Sequence, residues 1–100
     1  MKRSKMTLQE LRRKRRAILR ISARHGATNV RVFGSVARGE AGLTSDVDFL
    51  VDFPPEKSYF DLASLSVDLE KFLNRGIDLV TEDELHWYIR DRVLAEAVPL

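Results

Sequence analysis

Three short runs of β-branched and aromatic residues, separated by longer helical patterns, constrain the fold of this chain most strongly. They lie at residues 28–33, 46–53 and 77–80, and each has the length and residue types of a strand. The second run ends at two consecutive prolines, which cannot continue a sheet ladder. The sequence therefore predicts three strands.

Apolar residues recur at intervals of three and four over residues 7–25, 59–74 and 82–97, which is the period of an α-helix. The glycine-bounded segment 34–39 has room only for a tight turn and one or two helical turns. The order α-β-α-β-α-β-α predicts one small α/β (α+β) domain over residues 1–100, with helices packed on a three-stranded mixed sheet.

Cap residues indicate where the helices begin and end. Thr7 and Glu10 have the spacing of a capping box, in which Thr7 accepts a hydrogen bond from the Glu10 amide. Gly26 is expected to stop the helix over residues 7–25, and Gly76 is expected to provide a left-handed cap after the helix over residues 59–74. Trp87, on the last predicted helix over residues 82–97, is expected to pack against the rest of the domain.

The available residue types limit the metal chemistry. The chain has no cysteine and two histidines, so neither a disulfide framework nor a Cys- or His-based metal site is expected. A bound metal would be held by carboxylates, which favour hard cations such as Mg²⁺ or Mn²⁺. Because no apolar run approaches the roughly 20 residues that span a bilayer, we expect a cytoplasmic protein with no membrane partner.

Charge is distributed unevenly along the chain. Residues 1–25 carry ten Lys/Arg and one acid, a balance of +9, whereas residues 26–100 carry seven Lys/Arg and fourteen acids, a balance of −7. A basic helix is thus joined to an acidic body. Its basic side is a solvated surface, a docking surface for an acidic partner, or an RNA-binding surface.

Two aspartates open the second predicted strand. Asp46 and Asp48 are two residues apart, so their side chains project from one face, about 6.5–7 Å apart at the backbone. Such carboxylates repel each other unless a cation lies between them. Aspartate is also a poor strand former, so a cation site and a solvated sheet edge both remain open.

Asp78 interrupts the third predicted strand, where an unpaired buried carboxylate would be costly. If this strand pairs with the second, Asp46, Asp48 and Asp78 converge and could hold two divalent cations, an arrangement suited to phosphoryl chemistry. Asp52 has the same strand parity but lies at the strand's exit, so we expect it to be a solvated strand end.

Gly34 and Ser35 follow the first predicted strand. Glycine lets the backbone approach an anion, amides at a helix start favour phosphate, and Ser35 adds a hydroxyl donor. Arg38, one turn later, is a candidate nucleotide-binding residue, although it could equally pair with Glu40. Taken alone, Gly-Ser is also compatible with a turn and an N-cap serine.

Together these residues resemble the signature of the DNA polymerase beta-like nucleotidyltransferase superfamily, which is Gly34-Ser35, ten intervening residues and then Asp46-Val47-Asp48. The strings FGSVARG at 33–39 and SDVDFLV at 45–51 look like its minimal nucleotidyltransferase branch. GIDLV at 76–80 matches that branch's third-carboxylate strand. The close resemblance covers residues 28–80.

The resemblance implies a role for each motif residue. Asp46 and Asp48 would ligate both metal ions, and Asp78 would complete the catalytic metal site and help to activate the attacking hydroxyl. Gly34 and Ser35 would hold the β- and γ-phosphates of the nucleotide. The implied reaction transfers a nucleoside monophosphate from an NTP, with ATP the expected donor and Mg²⁺ (or Mn²⁺) the expected cofactor, to a hydroxyl.

The resemblance also implies a partner. Minimal members of the family are typically prokaryotic antitoxins paired with a HEPN-domain ribonuclease toxin, which they neutralise by adding AMP to a toxin tyrosine. Two alternatives from other classes remain. One is a binding-only antitoxin or adaptor that neutralises its partner by complex formation, and the other is an enzyme that adds nucleotides to RNA or to a small molecule.

Overall fold

The computed structural model describes residues 4–100. No helix within that range is long and apolar enough to cross a bilayer. In chain order the elements are α1 (Leu8–Arg13), α2 (Arg15–Arg24), β1 (Thr28–Phe33), α3 (Gly34–Arg38), β2 (Val47–Asp52), α4 (Tyr59–Leu73), β3 (Ile77–Val80), a 3₁₀ turn (Glu82–Glu84), α5 (Trp87–Glu96) and β4 (Val98–Pro99).

The strands form one mixed sheet in the order β3-β2-β1-β4. β2 and β3 are parallel, whereas β1 is antiparallel to both β2 and β4. The predicted α+β class with a mixed sheet is therefore confirmed, but the sheet has four strands and not three. The additional strand, Val98–Pro99, is short and lies at the sheet's edge, where a proline without an N–H group is tolerated.

The predicted first helix, 7–25, is divided into α1 and α2 at Lys14, whose φ of −99° and ψ of 9° depart from helical values. The division falls within five consecutive Lys/Arg at 12–16, where like charges crowd one helical turn. The predicted cap is confirmed, since Thr7 accepts a hydrogen bond of 3.1 Å from the Glu10 amide. Gly26, with a φ of +87°, ends α2 as expected.

The last predicted helix, 82–97, is also shorter than expected. A capping box between Thr81 and Glu84 closes the 3₁₀ turn, and the chain then extends through Leu85 and His86 before α5 begins. The expectation that Trp87 packs was wrong, because its side chain lies in the first turn of α5 and is 85% exposed.

The inward face of β2 fixes the direction of its aspartates. Val47, Phe49 and Val51 are fully buried in the main core, which also contains Leu65 and Leu69 of α4. Each such side chain contributes roughly 1.5–3 kcal/mol by its burial, so a one-residue register slip would be strongly disfavoured. The alternate residue Asp48 must therefore project from the opposite face.

Candidate active site

The predicted motif residues meet across three adjacent strands. Phe33, the last residue of β1, lies opposite Asp48 of β2, and Asp48 lies opposite Asp78 of β3. Gly34 and Ser35 begin α3 directly after Phe33, so the start of α3 adjoins the carboxylates. The sheet register thus brings together pieces that are far apart in sequence.

Gly34 is required here by its conformation and by its contact with Asp48. Its φ is +73°, in the left-handed region that favours glycine. A Cβ at this position would meet Asp48 Oδ2 and would stand 3.0 Å from Asp48 Cγ. The absent side chain therefore leaves the space that the Asp48 carboxylate occupies.

Gly76 makes the same kind of room for Asp46. The Val47 amide donates a 2.9 Å hydrogen bond to the Gly76 carbonyl oxygen, which holds the start of β2 beside this glycine. A Cβ on Gly76 would meet Asp46 Oδ1 and stand 2.9 Å from Asp46 Cγ. The expected left-handed cap at Gly76 was wrong, because Asn74 caps α4 with a φ of +53°.

The carboxylates interact electrostatically. The pKa of Asp48 is raised to about 6, chiefly by burial and in smaller part by repulsion from Asp78 and Asp46 and a hydrogen bond with Asp78. Asp46 and Asp78 are exposed. Negative charge on Asp48 is therefore less favourable than on a solvated aspartate, and a neighbouring cation would relieve that cost.

The three carboxylates suit a hard cation without forming a complete set of ligands. Among residues 4–100, no three His, Cys, Asp or Glu side chains are grouped closely enough to hold a metal ion by themselves. Mg²⁺ is commonly bound through one or two carboxylates together with substrate phosphates and waters. The carboxylate oxygens and the two glycines beside them fit that mode of binding, with the nucleotide supplying the remaining ligands.

Arg38 is held by two carboxylates beside the site. Its Nε donates to Glu40 Oε1 at 2.9 Å, as the alternative interpretation of the sequence allowed, and its Nη1 donates to Glu96 Oε1 at 2.6 Å. These hydrogen bonds raise the pKa of the guanidinium above its usual range. A phosphate contact by Arg38 would compete with both pairs.

Glu96 is the residue near the site that sequence reasoning missed. Its Oε2 accepts a 2.8 Å hydrogen bond from the Gly34 amide, while Oε1 pairs with Arg38. Burial opposes its ionisation, but these two hydrogen bonds outweigh burial and hold the pKa of Glu96 below its ordinary value. Glu96 therefore joins the end of α5 to the first residue of α3.

Two further residues complete the surroundings. Arg75 is buried and donates hydrogen bonds to two carbonyl oxygens, that of Leu43 at 2.9 Å and that of Ser4. It therefore links the loop before Asp46 to the turn that precedes β3. Asp52 is half exposed and pairs with Arg31 at 2.8 Å, which confirms the expectation that it is a solvated strand end.

Comparison with known proteins agrees with this arrangement. The sequence profile of the nucleotidyltransferase domain family matches residues 11–100. The protein adenylyltransferase MntA of Thermococcus cleftensis is 43% identical over 75 residues, which are 75% of this chain and 76% of that protein. A solved structure described as a minimal nucleotidyltransferase is 49% identical, with a TM-score of 0.83 over 95% of this chain and 97% of that one.

A more distant solved structure shares the fold. It contains an MNT antitoxin in complex with the tri-AMPylated HEPN toxin of Shewanella oneidensis, at 16% identity and a TM-score of 0.67, and the match covers 88% of this chain and 69% of that one. The profile match extends over the glycine turn and all three aspartates. This chain therefore belongs to the nucleotidyltransferase domain family, in its minimal form, and is a nucleotidyltransferase.

Proposed function

We propose that this chain transfers AMP from ATP to a hydroxyl of a partner protein, and that the partner is a HEPN-type toxin for which the chain is the antitoxin. The observation that carries the proposal is the pair of glycines that leave space for Asp48 and Asp46 beside the start of α3. The name of the 43% identical relative and the AMPylated toxin in the distant complex support the choice of acceptor.

The chain's own residues would position the reactants. Asp46 and Asp48 would hold Mg²⁺, with Asp78 at the catalytic site. The Ser35 hydroxyl and the amides at the start of α3 would hold the phosphates, with phosphate replacing Glu96 at the Gly34 amide. When bound, Mg²⁺ neutralises phosphate charge and favours departure of pyrophosphate. The acceptor oxygen forms a bond to the α-phosphorus, the bond from that phosphorus to the β-phosphate oxygen breaks, and Asp78 receives the hydroxyl proton.

A protein acceptor is supported by the exposed aromatic residues. Tyr59 and Phe60 open α4, Trp87 and Tyr88 open α5, and all four are between 67% and 85% exposed. Tyr59 and Glu84 line one groove of about 460 Å³ between the start of α4 and the 3₁₀ turn. Aromatic side chains exposed in this way are enriched in protein interfaces.

The test is transfer of labelled AMP from ATP to the purified product of the adjacent gene, in the presence of Mg²⁺. We expect transfer by the wild type and its loss in the Asp46→Asn/Asp48→Asn variant. Asp52→Asn is the matched control, since it removes an exposed carboxylate from the same face of β2 and should retain transfer.

Two results would contradict the proposal. If the double variant neutralises the toxin as well as the wild type and no label is transferred, the chain acts by binding alone. If label passes to RNA or a small molecule but not to the protein, the acceptor is wrong while the transferase assignment holds.

Isothermal titration with Mn²⁺ and a non-hydrolysable ATP analogue tests the metal, because the double variant should lose metal-dependent nucleotide binding.

A further inference from the structure

The outward side of α1 and α2 carries a concentration of positive charge that the transferase reaction does not use. Six arginine side chains of these helices are exposed, and we call the five that have no carboxylate partner among residues 4–100 the arginine face: Arg12, Arg15, Arg16, Arg20 and Arg24. Three of them, Arg16, Arg20 and Arg24, occupy successive turns of α2, so they follow one another at a rise of about 6 Å along the helix.

The charges of the arginine face are not compensated within residues 4–100. No carboxylate in that range lies within 4.0 Å of any of the five guanidinium groups, whereas Glu10 pairs with their neighbours Arg13 and Lys14. Like charges four residues apart on a helix repel each other. An anionic ligand would relieve this repulsion.

The composition of the surface indicates which anion fits. The large apolar side chains that are exposed in the described chain all lie at or beyond Leu43, and residues 1–25 contain no aromatic residue. A protein interface needs an apolar or aromatic centre, and a single-strand site needs aromatic side chains on which bases stack. A duplex needs only cations that face its phosphates, because counterion release supplies the affinity.

The remainder of the molecule would confine such a ligand to this surface. Residues 26–100 have a net charge of −7 and would repel a polyanion. The opposite side of α2 is occupied, since Ile18 and Ile21 are buried in the core. The contact is thus restricted to the outward arginines.

We infer that the arginine face binds the phosphodiester backbone of a nucleic-acid duplex without reading its sequence. This binding does not depend on the proposed transfer of AMP. The Asp46→Asn/Asp48→Asn variant should therefore bind duplex as the wild type does, which separates failure of this inference from failure of the proposed function.

The experiment is fluorescence anisotropy with a labelled 20-base-pair duplex, as DNA and as RNA, over 50–200 mM salt. Five phosphate contacts predict a slope of log K against log salt of about −4.5, so affinity should fall roughly 500-fold across this range. The Arg16→Gln/Arg20→Gln variant should bind more weakly at 50 mM, with a slope shallower by about 1.8.

The matched control is Arg90→Gln/Arg92→Gln, which removes two exposed arginines from α5 and changes the net charge equally. We expect this control to bind duplex as the wild type does. All four side chains are exposed, so we expect both variants to fold, and circular dichroism checks this. The inference is overturned if neither duplex binds at 50 mM salt, or if the two variants lose affinity equally. Binding of polyglutamate as tightly as duplex would also overturn it, because the face would then fit an acidic protein.

Discussion

Replacing Gly34 with alanine tests the close approach between the β1–α3 turn and Asp48. Two separate costs are expected. The first is conformational, because an L-residue at a φ of +73° loses about 1–2 kcal/mol relative to glycine. The second is steric, because the new Cβ would stand 3.0 Å from Asp48 Cγ and closer to Oδ2, whereas ordinary contacts begin at 3.4 Å.

The steric cost affects activity more than stability. Asp48 is half-buried near the sheet surface, so its carboxylate can move away, and a displacement of roughly 1 Å at a reacting centre can cost about 100-fold in rate. Gly39 separates the two effects. Its φ is +74°, nearly that of Gly34, but a Cβ there meets no atom within 4 Å.

The assay compares Gly34→Ala and Gly39→Ala in urea unfolding and in AMP transfer. We expect both variants to lose about 1–2 kcal/mol of unfolding free energy, and only Gly34→Ala to lose about 100-fold or more of its transfer rate. If the two variants have transfer rates within threefold of each other, the space beside Gly34 is not what positions Asp48, and the reasoning is refuted.

Three further predictions concern the same site. Because the pKa of Asp48 rises from 3.8 in the unfolded chain to about 6, the metal-free wild type should lose roughly 1–3 kcal/mol of unfolding free energy as pH rises from 4 to 7. Urea unfolding across that range should show a markedly smaller loss in Asp48→Asn, and equal losses would contradict the assigned cause. Glu96→Gln keeps an acceptor for the Gly34 amide, whereas Glu96→Ala leaves that amide unpaired. The Gln variant should therefore be about 1 kcal/mol more stable than the Ala variant in urea unfolding. Equal stabilities would mean that the contact contributes nothing. Gly76→Ala should reduce AMP transfer at least tenfold by displacing Asp46, with little change in thermal midpoint, and unchanged transfer would show that Asp46 adjusts freely.

The strand carrying Asp46 and Asp48 could be predicted because local pattern and burial agree there. Asp46, Asp48 and Asp52 alternate with apolar residues, Leu50 being the one apolar residue on their side of the strand, and the buried set Val47, Phe49 and Val51 favours one register. Asp78 could be related to them because a short apolar run around it predicts a third strand. The local residue pattern and the long-range burial favour the same structure here, which is why the sequence alone identifies these aspartates.

The missed features depend on long-range contacts. Glu96 accepts from an amide 62 residues earlier in the chain, and in the sequence it is simply an acid near the end of a helix. β4 is two residues long and contains Pro99, which argues against a strand until β1 provides an edge for it. Gly76 has the sequence context of a helix cap, and only the placement of Asp46 gives it another role.

The position of α5 has a thermodynamic consequence. Its first turn presents Trp87 and Tyr88 to solvent, and its last residue, Glu96, holds the Gly34 amide. A partner that binds the two aromatic side chains and shifts this ten-residue helix would change the affinity of α3 for nucleotide. Linkage then requires nucleotide to change the affinity for that partner by the same factor. The nucleotide-bound and nucleotide-free forms of the chain would therefore differ in how tightly they hold it.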